Sequence, residues 1–215
     1  MLDYNNKLYL KYSSLSTEEK IIYSQQLKKF LRKLSWEYPG FWKWYDSLFS
    51  AKVELKPNRE IIICESCFQL VGVAILKRDI EEKKICTLRV EKDFQRQGIG
   101  RKLFELSFEW LNCDKPLITV RQSKNCEFQK LFDYYCFNAE EKRRNYYQLF
   151  STEVVYNGSL PAKGFELNQI EIFDLEKSIR QYLLSGEKSF AAFLDRWIYK
   201  IWQQAQIRDR RIRSY

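Results

Sequence analysis

The sequence predicts a mixed α/β (α+β) fold: a central sheet flanked by helices, with further helices at the C-terminus. Three observations predict it. Apolar, β-branched runs at 60–65, 69–76 and 84–90 are separated by short polar turns. Stretches of helical period lie on both sides of them. Residues 87–103 run from an apolar strand through a polar turn into a helix start punctuated by glycine, Gln95-x-x-Gly98-x-Gly100.

The elements follow in order. Residues 7–12 alternate well enough for a first strand. Ser16-Thr-Glu-Glu19 is a capping-box start, and the helix it opens carries Leu27, Phe30, Leu31 and Leu34 at i, i+3, i+4, i+7. Pro39-Gly40 is the expected stop, and the aromatic-rich 41–49 is expected as a second helix. Three strands and two hairpin turns lead to the glycine turn and a helix over 101–111. A short buried strand at 117–120 follows Pro116, then a helix at 125–135 and a long strand at 146–156 ending at Asn157-Gly158. After a linker near 160–164, Asp174 caps a short helix to Leu184. A longer helix then presents Phe190, Phe193, Leu194, Trp197, Ile198, Ile201, Trp202 and Ala205 as one apolar stripe. The expected division is a domain over 1–157 and a basic helical extension over 158–215.

Composition narrows the function. Hydrophobic residues make up 45% of 215 positions, enough for a packed core, which excludes a disordered chain. No apolar run approaches the roughly 20 residues of a membrane helix, so no membrane partner is expected. The start, Met-Leu-Asp-Tyr-Asn-Asn, has no signal-peptide pattern, and a cytoplasmic location with reduced cysteines is expected. Cys64-Glu-Ser-Cys67 has no second cysteine pair at fitting spacing and no histidine to join it, so the cysteines read as small buried hydrophobes and no metal site is expected. The complete lack of histidine removes the usual general base near neutral pH and the Ser–His and Cys–His nucleophile pairs. A formal charge of +9 favours anionic partners.

The glycine turn carries the most chemistry. Two residues without Cβ let backbone N–H groups close around an anion, and the following helix aims its unsatisfied N–H groups and positive dipole end at the same point. This is a pyrophosphate cradle. It has neither the third glycine of a dinucleotide fingerprint nor the Gly-Lys-Ser/Thr ending of a P-loop.

These residues resemble motif A of the GCN5-related N-acetyltransferases (GNAT), Gln/Arg-x-x-Gly-x-Gly/Ala after a strand. Leu88, Val90 and Gln95 fall in register with it, while Lys92 stands where proline is usual. Downstream, Asn125, Phe128 and Leu131-Phe-Asp-Tyr-Tyr-Cys-Phe137 keep the spacing of a second family motif. The resemblance covers about 1–157. It implies the GNAT fold, a mostly antiparallel sheet splayed at the cofactor site, and transfer of an acetyl group from acetyl-CoA to an amine.

By that resemblance, Gln95, Arg96, Gln97, Gly98, Ile99, Gly100, Arg101 and Lys102 form the pyrophosphate site. Leu88 and Val90 offer main-chain contacts to pantetheine, with the Val90 N–H as an oxyanion donor. Asn125 contacts the cofactor from the next helix. The position where many members place an acid tyrosine is Phe132, so Tyr134, with Tyr135 beside it, is the candidate acid. The position of a glutamate base in histone-type members is Lys84, and Glu81, Glu82 and Glu91 are near in sequence only.

Three classes of function stay open. The first is an N-acetyltransferase acting on a protein, an aminoacyl-tRNA or a small molecule. The second is a non-catalytic CoA-binding module that engages a partner through its C-terminal helices. The third is a nucleic-acid-binding or regulatory protein on the same scaffold. Residues 175–215 hold nine Lys/Arg against four Asp/Glu, with Arg208, Arg210, Arg211 and Arg213 at the end, so 188–215 is the expected surface for a nucleic acid, a protein partner or a homodimer contact.

Overall fold

The computed structural model describes residues 7–38, 40–147 and 151–161. The chain divides into units at 1–161 and 162–215. The helices expected over 174–184 and 188–205, with the arginine-rich end, lie outside the described residues.

Seven strands form one sheet in the order β1-β2-β3-β4-β5-β7-β6. They are β1 (Lys7–Lys11), β2 (Arg59–Ser66), β3 (Gln69–Arg78), β4 (Lys83–Val90), β5 (Leu117–Arg121), β6 (Ala139–Arg144) and β7 (Thr152–Tyr156). Every neighbouring pair is antiparallel except β4 and β5. The helices are α1 (Thr17–Leu31), α2 (Leu34–Glu37), α3 (Phe41–Asp46), α4 (Ile99–Leu111) and α5 (Asn125–Tyr134). This is the mixed α/β architecture expected from the sequence.

Period-two burial divides the sheet into two faces. Ile62, Cys64, Ala74, Leu76 and Ile85 face α4 and α5, in a core with Leu103, Phe104 and Phe132. Ile61, Ile63, Val73 and Ile75 face α1 and α3, in a second core with Leu27, Leu31 and Tyr45. Helix α4 lies low on the sheet because Gly72 leaves room for it. A Cβ at Gly72 would stand 2.9 Å from Ile99 Cγ2 and 3.1 Å from Leu103 Cδ1.

The Ser16–Glu19 capping box forms with both of its bonds. Helix α1 stops at Leu31, well before the expected Pro39-Gly40 break. Lys28 and Lys29 occupy its last turn, where cations favour a helix C-terminus. The second helix is also shorter than expected, and Phe49 instead bridges Leu55. The hairpin turn after β2 is centred on Cys67 and Phe68, both at positive φ (49° and 60°), as two-residue hairpins favour. Cys67 is therefore exposed, as are Cys126 and Cys136; of the six cysteines Cys64 is buried as expected.

The largest correction is at the end of the domain. The single strand expected over 146–156 is replaced by a hairpin of β6 and β7. Strand β6 reads Ala-Glu-Glu-Lys-Arg-Arg, with no apolar alternation to betray it. Its charges suit a sheet edge, where they discourage pairing with another chain. Beyond β7, Leu160 is buried with Leu117 and Val155.

Candidate cofactor cleft and acceptor face

The only parallel pairing in the described sheet is brief. β4 and β5 pair at Lys84–Leu117 and Ile85–Ile118 and then separate. On its other side β4 carries a bulge: Leu76 opposes Ile85 and Ile75 opposes Thr87, so Cys86 has no partner on β3. A bulge bends its strand and increases the local twist, which carries Leu88 and Val90 away from β5. Both are half-buried at the rim of the α4/α5 core. The result is a slot between two strand edges, open toward the ends from which α4 and α5 start.

The cradle closes that end of the slot. A turn of 3-10 helix at Lys92–Phe94 follows β4, and Gln95 Nε2 donates back to Val90 O at 3.2 Å. Gln97 Nε2 donates to Asp93 O at 3.0 Å, and Lys7 Nζ from β1 donates to Gln97 O at 2.8 Å. Arg96 (φ 60°) and Gly98 (φ 83°) both take left-handed conformations. Alternating hands turn successive N–H groups inward as an anion-binding nest. No side chain caps α4, whose first turn closes with Lys102 N–H on Gly98 O at 3.0 Å. Helix geometry leaves the N–H groups of Ile99, Gly100 and Arg101 without intrahelical partners.

The glycines mark the space. A Cβ on Gly98 would meet nothing within 4 Å, and one on Gly100 would stand 3.6 Å from Leu131 Cδ1 and 3.9 Å from Val90 Cγ2. Gly100 thus lies in the slot between β4 and α5. Gln95, Arg96, Gln97, Arg101 and Lys102 are exposed around the nest, while the Ile99 side chain is buried and only its N–H is free for a ligand. These groups fit a phosphorylated cofactor: uncapped amides, three cations and an open Cβ position converge.

Helix α5 starts directly beyond β5 with Asn125. Asn125 Oδ1 accepts from Tyr156 Oη at 2.8 Å, and its Nδ2 faces Gln129 Oε1 at 3.4 Å. Phe132 is fully buried among Phe104, Phe128, Phe137 and Tyr156. Tyr134 is 60% exposed, and its hydroxyl accepts from Arg101 Nη2 at 2.8 Å. Tyr135 donates to Glu105 Oε1 at 3.3 Å. Burial and the Glu105 carboxylate both raise the Tyr135 phenol above its ordinary range.

On the other face of the sheet lie α2, Tyr38 and Tyr147, which follows β6. Lys84 is buried with Nζ 3.4 Å from Tyr147 Oη and 3.8 Å from Glu82 Oε1. Glu82 also holds Lys77 at 2.6 Å, Glu91 lies 3.9 Å from Arg89, and Glu81 is exposed. Tyr38 and Tyr147 meet edge to face at 5.9 Å, and Arg121 stacks 5.1 Å over the Tyr38 ring. Arg121 also donates to Glu37 O, and Lys124 pairs with the Glu37 carboxylate. Burial pushes the Tyr147 phenol up to about 12 and raises Tyr38 further.

Glu153 completes this face as a buried carboxylate on β7, in register with Arg121 and Arg143. Sequence reasoning did not single out Tyr38, Arg121, Tyr147 or Glu153, because they come from four separate elements. One signal was available: Glu153 is an acid inside the apolar run of β7. Among the described residues no cluster of His, Cys, Asp or Glu could hold a metal ion, and no helix is long and apolar enough to cross a membrane.

Residues 41–146 match the family model of the acetyltransferase (GNAT) domain. No curated protein matches the chain in sequence. Among solved structures, the chain is similar to a ribosomal-protein alanine N-acetyltransferase from Escherichia coli. That match has 20% identity over 74% of this chain and 100% of the other, with a TM-score of 0.51. Another match is a GNAT family acetyltransferase from Elizabethkingia anophelis with acetyl-CoA bound, at 15% identity over 71% and 97% of the two chains and a TM-score of 0.48.

Proposed function

We propose that this chain, which carries a GNAT acetyltransferase domain, transfers an acetyl group from acetyl-CoA to an amine. The observation that carries the reading is the junction of slot and cradle: two strands that part after two residue pairs, leading to an uncapped helix start at left-handed Gly98. Acetyl-CoA would supply the activated acyl group. Ile99, Gly100 and Arg101 N–H groups, with Gln97 and Lys102, would hold the pyrophosphate, and the nest formed by Gln95, Arg96 and Gly98 shapes the turn that presents them. The backbone of Leu88 and Val90 would align the pantetheine arm, and Asn125 would fix it from α5. The amine enters from the Tyr38–Tyr147 side, which is walled off from the cradle by the sheet. The acceptor is a protein, an aminoacyl-tRNA or a small molecule.

A second reading has a specific observation behind it. Phe132 has no proton to give and Lys84 no carboxylate to accept one, so a CoA-binding module without turnover retains every binding feature above. Incubating the protein with acetyl-CoA and panels of N-terminal peptides, polyamines and charged tRNA, and following thiol release, separates the two. Acceptor-dependent release supports transfer. Binding without release from any panel supports the module.

A further inference from the structure

We propose that the acceptor is a small amine carrying an anionic group, a carboxylate or a phosphate, and that Arg89 selects it. This rests on the acetyl-transfer reading above and names the substrate class of the same site.

The parting strands place Arg89. Its partner on β3, Val73, packs in the α1/α3 core, so Arg89 points to the acceptor face, whereas Leu88 and Val90 on either side of it pack toward α4 and α5. The bulge uses up one extra residue of β4. Counting on from the Ile85–Ile118 pair therefore sets Leu88 level with Val120 and Arg89 level with Arg121. Burial agrees, since Leu88 and Val120 share the α4/α5 core. Two arginines thus flank the opened slot on the acceptor face, one on each strand. Each lies against a ring from the helices above: Arg89 Cζ is 5.2 Å from the Phe30 centroid, and Arg121 Cζ is 5.1 Å from that of Tyr38.

Their partners differ. Arg121 donates to Glu37 O and stands in register with Glu153. Arg89 has Glu91 near it, with 3.9 Å between Nη2 and the carboxylate, too long for a hydrogen bond. The Arg89 side chain is 17% exposed, and its buried Nε–H has no partner among the described residues. Other carboxylates of this face are engaged: Lys124 holds Glu37, and Lys77 and Lys84 hold Glu82. A largely buried guanidinium short of a counterion is costly, and a carboxylate or phosphate matches its planar fork with two parallel bonds. Val90, next in the chain, belongs to the backbone that would align the acyl arm, so an anion on Arg89 keeps the acceptor beside the reacting carbon. The recess under Phe30 suits a small molecule rather than the phosphodiester backbone of a polymer.

The test uses the full chain. Thiol release from acetyl-CoA would be compared within two matched pairs, β-alanine against propylamine and phosphoethanolamine against ethanolamine, which separate a carboxylate from a phosphate. Ligand-observed NMR would follow the same amines on protein saturated with CoA, so that recognition is read without turnover. Wild type should favour the anionic member of at least one pair by roughly 10- to 100-fold, the worth of hydrogen bonds to a charged group. Arg89→Gln should erase that preference, chiefly through KM. Arg89→Lys, which keeps the charge but not the fork, should recover part of it, and Arg89→Glu should turn the preference toward putrescine. CoA titration of each variant shows that it is folded. A preference that survives Arg89→Gln overturns the assignment. So does equal use of both members of each pair, failure of all these amines to bind, or transfer confined to peptides or charged tRNA. Selective binding of an anionic amine with no thiol release from any acceptor would support Arg89 as the anion anchor and overturn the acetyl-transfer reading instead.

Discussion

Arg101 holds Tyr134 at two points: its Nη2 lies 2.8 Å from the phenol oxygen and its Cζ 4.5 Å from the ring centroid. The pair joins the first turn of α4 to the last turn of α5, and it keeps a candidate acid on the surface. A cation over an exposed ring is worth about 0.5–1 kcal/mol. The pair therefore reads as a surface tie between the two helices that flank the slot.

Tyr134→Phe keeps the ring under the guanidinium and removes only the hydroxyl. Transfer should change by less than about twofold, and stability by no more than about 0.5 kcal/mol. Steady-state kinetics and denaturant unfolding check both. A tenfold fall in kcat would place the Tyr134 hydroxyl in the reaction.

Gly72 and Gly100 should respond to alanine in opposite ways. At Gly72 the new Cβ meets Ile99 and Leu103 too closely, at 2.9 and 3.1 Å, so α4 must lift from the sheet. Overpacking of this kind costs about 1–3 kcal/mol. At Gly100 the Cβ makes ordinary contacts and alanine favours the helix by up to about 1 kcal/mol. The motif that this turn resembles takes either glycine or alanine here, so Gly100→Ala should retain CoA binding with no loss of stability. Thermal unfolding and CoA titration of both variants would show it; a destabilised Gly100→Ala would mean the slot is misplaced.

Alkaline pH should destabilise the fold. Burial pushes the phenols of Tyr12, Tyr23 and Tyr147 up to about 12, against an ordinary value of 10.0. A raised pKa in a group that is neutral when protonated means the folded state binds the proton more tightly. That contribution is complete below about pH 10 and is lost as pH rises from 10 toward 12. Urea midpoints should be level at neutral to mildly alkaline pH and fall above 10. A flat profile to pH 12 would show that these hydroxyls are solvated.

The sequence made some of this legible and hid the rest for physical reasons. Strands β2, β3 and β4 show through because they are apolar and separated by hairpin turns. Ser16 and Glu19 announce α1 through a purely local bond pair. The glycine turn is readable because left-handed backbone at position 98 requires a particular residue. Strand β6 was missed because an edge strand needs no apolar face. The Tyr156–Asn125 bond was invisible because it joins residues 31 apart in sequence through sheet topology. Tyr38, Arg121, Tyr147 and Glu153 converge in the same way, and none carries a local pattern.

The central claim is that the Gly98 turn binds the pyrophosphate of acetyl-CoA, and calorimetry of wild type against Gly98→Glu tests it most directly. A Cβ at Gly98 meets no atom within 4 Å, so the variant should fold despite some strain at φ 83°. Its carboxylate would face the phosphates across the nest. Like-charge juxtaposition of several kcal/mol predicts a loss of affinity on the order of 100-fold or more from a wild-type Kd of about micromolar. Equal binding by a folded Gly98→Glu variant would contradict the cradle.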